Sequence, residues 1–463
     1  MRPALPGHWH GPGGRWAAAA ALTLAGAALA SAAAAQQRVP FPPVPLPVAA
    51  TTEPALTFSL SQSLEADTNY DLIDDPSGTT YYGETRFGFD FLRDTENRRL
   101  GLGIDTGLRG VDQPDESFDW VAASPSTAYL DYRREGSDTL FNANLAARSR
   151  VIDSTSTLLS FDDPTQPGTP TSIEQVSVDA REFRYDADLG FTGGTTSPAT
   201  WGFRLLANTY DYDDDSETLT PRETINPQAN LVLQLTPLLA GTLFGGYYYY
   251  NADNPEETEV RVAEADAGVL YQPSEVLSFG FGLGYADRRR EDTNTLTEVR
   301  DETDHETGPV VRANLRYILP EMTVVGNVRW TTASAEDNHF SGSIGGFYTL
   351  PRGIISGRIY QLAVGSSTGG EVKVTGASIG LDREINAVSR FGLDLGWATQ
   401  VDLEDDDEPD VSRTDFIASY EHDITATITA EVGYNYQTRD EDPIDADSHR
   451  VFVVLGKTFE TGL

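Results

Sequence analysis

The sequence predicts an all-β fold, a transmembrane antiparallel up-and-down β-barrel of about 20 strands, within bounds of roughly 18–22. Three observations predict it: an export signal at the start, a long series of segments in which apolar and polar residues alternate, and connections that alternate between long and short.

Residues 1–35 read as a signal peptide. Arg2 and Arg15 precede an apolar run from Trp16 to Ala30, and small residues end in Ala33-Ala34-Ala35, so cleavage is expected after Ala35. The run is about fifteen residues, short of the ~20 that a spanning helix needs. No later stretch approaches eighteen apolar residues, so no transmembrane helix is expected. Residues 36–54 carry prolines at 40, 42, 43, 45, 47 and 54. Proline fixes φ and favours polyproline II, so this stretch reads as a semi-rigid periplasmic leader. Residues 55–459 are the expected barrel and 460–463 a short C-terminal tail.

Within 55–459 the pattern has period two. Leu100, Leu102, Ile104, Thr106 and Leu108 alternate with Gly101, Gly103, Asp105, Gly107 and Arg109; Leu277, Phe279, Phe281, Leu283 and Tyr285 alternate with Ser278, Gly280, Gly282, Gly284 and Ala286. Ile424 to Tyr436 repeats the pattern against Thr425, Thr427, Thr429, Glu431, Gly433 and Asn435. Alternation over nine to thirteen residues suits a tilted membrane-crossing strand. Strands are expected near 55–63, 81–92, 99–110, 124–133, 139–149, 173–191, 199–210, 223–234, 240–250, 259–271, 276–288, 305–317, 322–331, 339–349, 354–364, 371–382, 390–399, 412–420, 425–436 and 449–459.

The connections sort into two rims. Those at 64–80, 111–123, 150–172, 211–222, 251–258, 289–304, 332–338, 365–370, 400–411 and 437–448 are mostly long, and those between them are short, with turn chemistry such as 272–275 and 350–353. One rim facing outward and one facing the periplasm produces this alternation, and termini on the short-turn side require an even strand number. The long connections hold 40 Asp or Glu against 6 Arg. The acidity therefore belongs to one rim, and the strands stay near neutral.

Composition removes several chemistries. The chain has no cysteine, which excludes disulfides, thiolate metal sites and thiol nucleophiles. Its formal charge of −38, or −40 once Arg2 and Arg15 leave with the signal, argues against nucleic acid as a partner, because phosphate binding needs clustered Lys and Arg.

The final segment, 449–459, alternates through Val451, Val453 and Leu455 to Phe459, and resembles the terminal strand that barrel assembly machinery recognises. Together with the start at 56–71 and the stretch Thr236–Asn251, it looks like the outer-membrane β-barrel porin families of Gram-negative bacteria. Glu460-Thr461-Gly462-Leu463 after Phe459, and Lys457 in an apolar position, depart from that pattern; Lys can snorkel at the membrane edge. The resemblance implies an outer-membrane location and a passive or polymer-related channel.

Alternation assigns Arg86, Asp90, Asp105, Arg109, Asp131, Arg133, Glu182, Arg184, Asp186, Arg204, Arg312, Arg316 and Asp394 to the face opposite the apolar one, as pore-lining candidates. Two uses stand side by side: ion pairs that brace the wall, or a transverse field that filters solutes. Asp211, Asp213, Asp214, Asp215, Glu404, Asp405, Asp406 and Asp407 mark the acidic rim. They offer hard oxygens but lack the EF-hand spacing, so neither a metal site nor any cofactor is expected. A solvated rim is the expectation, with room to bridge lipopolysaccharide phosphates through loosely held divalent cations as a surface effect.

Histidines beyond the signal, at 305, 339, 422 and 449, form no ligand pair or nucleophile motif, so no enzyme activity is expected. The stretch 101–107 lacks phosphate-loop spacing, and its glycines are expected to admit a neighbouring strand or keep the lumen open. Aromatics at Tyr247 to Tyr250, Tyr285, Trp330, Tyr348, Trp397, Tyr434 and Tyr436 suit interfacial girdles. The function expected is a porin-like channel for polar solutes, polysaccharide included, whose rim favours cations. The alternative is a non-conducting barrel whose acidic loops act as surface scaffold or adhesin. Expected partners are outer-membrane lipid, lipopolysaccharide, the assembly machinery and small polar or cationic solutes.

Overall fold

The computed structural model describes residues 55–70, 72–74, 76, 78–114, 118–122, 126–151, 181–213, 219–253, 257–294, 299–333, 339–365, 371–402, 410–441 and 444–462. The expected signal peptide and leader lie outside the described residues. The strands are β1 (Ala55–Asp67), β2 (Thr80–Thr95), β3 (Arg98–Asp112), β4 (Asp119–Ala122), β5 (Ser126–Glu135), β6 (Thr139–Val151), β7 (Arg181–Gly193), β8 (Ala199–Tyr212), β9 (Arg222–Thr236), β10 (Leu239–Ala252) and β11 (Glu259–Ser274). They continue as β12 (Leu277–Asn294), β13 (Val299–Ile318), β14 (Met322–Thr331), β15 (His339–Leu350), β16 (Gly353–Gly365), β17 (Glu371–Asn386), β18 (Ser389–Asp402), β19 (Val411–Thr425), β20 (Ile428–Glu441) and β21 (Ile444–Gly462).

Successive strands pair antiparallel, and β21 returns to β1 from Ala55↔Gly462 to Asp67↔Arg450. Both β4 and β5 lie on β3, through Leu108↔Ala122 and Asp105↔Thr127, so together they make one stave and the 21 segments close a barrel of 20. Closure pairs β1 with β21, so neither terminal strand is left as a free edge.

The expected strands all appear, but most run longer. The connection expected at 289–304 is largely a hairpin, because β12 continues to Asn294 and β13 begins at Val299. Alternation with membrane period ends near Arg288, yet backbone pairing continues in water with charged side chains on both faces. Residues 460–462, expected as tail, belong to β21 and pair with Ala55, Leu56 and Thr57. The gap expected between 420 and 425 is strand, and the turn falls at Ala426-Thr427, where the Thr425 hydroxyl oxygen accepts the amides of Thr427 (3.2 Å) and Ile428 (3.0 Å). Residues 173–180, the first part of an expected strand, lie outside the described residues.

Neighbouring short turns are also tied to each other. The Asp138 carboxylate accepts the Thr196 amide at 2.8 Å and its hydroxyl at 2.7 Å, and the Asp138 carbonyl accepts the Gly194 amide at 3.0 Å. These bonds hold the Asp138 carboxyl below the usual carboxylate range, with the Thr196 amide the largest cause.

Cross-strand register carries one side-chain parity around the whole wall. The apolar parity faces out: Tyr285 is 56% exposed and Trp397 42%. The opposite parity crowds the concave face, where Asp186 is 4% exposed and Asp415 0%. Of the four consecutive tyrosines, Tyr247 and Tyr249 therefore point outward and Tyr248 and Tyr250 inward, so only half of that run can serve a girdle.

Candidate functional site

The inner wall is the candidate site, and register places all thirteen predicted residues on it. They fall into groups set by strand neighbourhood. On β2, β3 and β5, Arg86 bonds Glu84 at 2.9 Å and also pairs with Asp105. Asp90 accepts the Tyr129 hydroxyl at 2.6 Å, across β3. That reach needs a gap in β3, and Gly103 supplies it: a Cβ there would overlap the Tyr129 ring. Arg109 stacks over the Tyr82 ring at 4.2 Å, and Arg133 pairs with Glu135 while Asp131 stands opposite Asn144.

The second group spans β6 to β9. Arg150 bonds Glu182 at 2.8 Å, Arg148 bonds Asp186 at 3.0 Å, and Arg184 bonds the same Asp186 at 2.7 Å. Arg204 grips Asp188, with its Nε at 2.6 Å. Arg184 and Arg222 lie over the Tyr210 ring at 5.0 and 4.3 Å. Five arginines thus meet three carboxylates here, which leaves the sector net cationic.

The third group was only partly legible. Arg312 on β13 pairs with Glu264, lies at ion-pair distance (3.1 Å) from Asp266, and stacks on Phe244 at 4.3 Å. Arg329 on β14 reaches the same Glu264 at 3.2 Å. These contacts cross β12 because its inward positions, Gly280, Gly282 and Gly284, carry no side chain. Glu264 and Asp266 were missed because Ala263, Ala265 and Ala267 give weak apolar contrast, and Arg329, between Val328 and Trp330, because the inward Val325 breaks the alternation of its strand. Arg316 stands on β13 opposite Ser278 and Val325. Asp394 on β18 lies ten staves from Arg204 on β8 in either direction, so carboxylate and guanidinium occupy opposite walls.

Near the long-loop rim the pattern inverts. Val260, Val372 and Val374 point inward and are buried at 1%, 1% and 0% exposure, while Arg261 and Lys373 between them point outward. Beyond the lipid band the outer face meets water, so apolar contrast no longer fixes which side is which. Tyr360, Leu362, Ala398 and Val411 form one inward apolar cluster with Val372 and Val374, and Val260 packs separately with Tyr250 and Ala252.

Of the acidic rim residues, Asp211 lies on β8 opposite Phe183 with outward parity, not in a loop. Asp213 accepts the Arg181 amide at 2.6 Å. Asp214, Asp215, Glu404, Asp405, Asp406 and Asp407 lie outside the described residues. At the same rim, the Arg289 guanidinium donates to the Asp287 carboxylate at 3.0 Å, and His305 stands 3.4 Å from the same carboxylate. Two histidines make contacts that their spacing did not announce. His422 Nδ1 lies 3.0 Å from the Ser389 hydroxyl, which also receives the Tyr420 hydroxyl at 3.1 Å. His449 Nδ1 lies 2.7 Å from the Tyr434 hydroxyl, and its Nε2 is 3.2 Å from Asp447.

No protein-family model matches the chain, and no curated protein matches it. Among solved structures it is similar to the ferric-catecholate import receptor Fiu from E. coli K12, at TM-score 0.45 and 8% identity over 87% of this chain and 81% of that one. It is also similar to the copper transporter OprC (TM-score 0.46, 9% identity, 89% and 81% covered) and to OpdL of Pseudomonas aeruginosa (0.35, 11%, 88% and 99%). These likenesses are shallow, and the fold assignment rests on the strand register itself.

Proposed function

We propose that this chain is a porin-like channel of a Gram-negative outer membrane, exported with its signal peptide removed after Ala35, passing polar solutes through an aqueous lumen. The observation that carries the reading is the division of the wall: guanidinium, carboxylate and amide groups on the closed inner face, aromatic and aliphatic side chains exposed on the outer. An outer face of that kind is stable only against lipid. At about 20 strands the interior is wider than side chains alone fill.

Ion pairing on the inner wall supports bracing, and the net cationic β6–β9 sector with Asp394 opposite supports a transverse field, so the lining residues do both. Polysaccharide is among the solutes proposed, and the acidic rim concentrates cations and bridges lipopolysaccharide at the outer mouth. Planar-bilayer recording tests the reading: a stable conductance is expected, with a cation preference that fades as salt screens the rim. Silence at every voltage would overturn it.

A further inference from the structure

We infer that three outward arginines at the short-turn rim, Arg93, Arg98 and Arg134, form a binding surface for an anionic phospholipid of the periplasmic leaflet; this rests on the outer-membrane reading above. They lie at the ends of β2, β3 and β5, all exposed. Register sets Arg98 directly opposite Arg134, and Arg93 opposite Leu100 in the next row. Like charges facing across a strand pair repel, so this juxtaposition is unfavourable without an anion.

Among the described residues no carboxylate lies within ion-pair distance of any of the three, in contrast to the inner-wall arginines described above. That isolation is notable in a chain of net charge −38. Of the carboxylates in these strands and their turn, Asp94 has inward parity, Glu135 pairs with Arg133, and Glu96 makes no ion pair with any of the three.

What lies above the arginines completes the match. On the same outward parity, Phe89 and Phe91 of β2, Leu102 of β3 and Leu130 of β5 form a continuous apolar strip that starts where the guanidinium groups end. A lipid with acyl chains along that strip carries its phosphate to the level of the arginines, and guanidinium forks suit phosphate oxygens. Three cations on one headgroup favour a lipid with net negative charge over a zwitterionic one.

The test reconstitutes the mature chain in phosphatidylcholine vesicles containing phosphatidylglycerol, extracts it in polymer nanodiscs, and measures the lipid retained. Wild type is expected to enrich phosphatidylglycerol at least about fivefold over the bulk bilayer at low salt, since each surface cation contributes a factor of about five. The R93Q/R98Q/R134Q variant should lose that enrichment, and K373Q, outward at the other rim, should keep it. Equal enrichment in wild type and the triple variant would overturn the inference while leaving the channel reading intact. A chain that inserts into neither lipid, shown by the absence of heat-modifiable gel migration, would overturn both.

Discussion

Replacing Glu264 by Gln removes the charge on which two inner-wall arginines converge. Glu264 pairs with Arg312 and bonds Arg329 at 3.2 and 3.3 Å, with both guanidinium groups largely buried. Removing one partner of a buried pair costs about 3–5 kcal/mol, because the other charge is stranded. Arg312 keeps Asp266 at 3.1 Å, so the loss falls mainly on Arg329 and the lower end, about 3 kcal/mol, is expected. Equilibrium urea unfolding of the refolded barrel, followed by tryptophan fluorescence, measures it. A cycle of E264Q, R329Q and the double variant should give a coupling of about 1.5–3 kcal/mol, the range for a hydrogen bond between charged groups. Additive single effects within about 0.5 kcal/mol would show that the pair is not coupled and refute the reasoning.

Two other expectations concern the wall and its rim. Gly103→Val should displace Tyr129 and break its bond to Asp90, costing about 1–3 kcal/mol in the same unfolding assay, whereas Gly101→Ala, with its nearest neighbour at 3.6 Å, should cost little. The Asp138 carboxyl, depressed by the Thr196 amide and hydroxyl, stabilises the paired turns above the unfolded value of about 3.9 and loses that contribution as pH falls through its lower folded value. The Thr196 amide resonance should accordingly titrate with a midpoint below that of an unfolded aspartate and stop titrating in Asp138→Asn; a midpoint at or above it would contradict the clamp.

How much of this was readable in the sequence depended on where lipid sits. In the membrane band the outer face must be apolar, so Leu277 to Tyr285 declares its parity, and Arg86, Asp105, Arg312 and Asp394 share the opposite parity in the register. Above that band the constraint disappears: Val372 and Val374 turn inward around an outward Lys373, and no periodicity rule distinguishes that from the reverse. Long-range pairing was illegible for another reason. Arg312 meets Glu264 across β12 only because Gly282 and its neighbours clear the path, which becomes visible only with the register. Turn positions such as Ala426-Thr427 were hidden because the threonines that build the turn also continue the alternation.

The central claim, that one parity of the wall faces an aqueous conducting lumen and the other faces lipid, is tested most directly along β12. The chain has no native cysteine, so single cysteines at 278 to 285 can be probed one at a time with a membrane-impermeant, bulky thiol reagent during planar-bilayer recording. Cysteines at the even positions, Ser278, Gly280, Gly282 and Gly284, should react and reduce the current, and those at Phe279, Phe281, Leu283 and Tyr285 should not. Reactivity without period two, or modification of the even positions that leaves the current unchanged, would contradict the account.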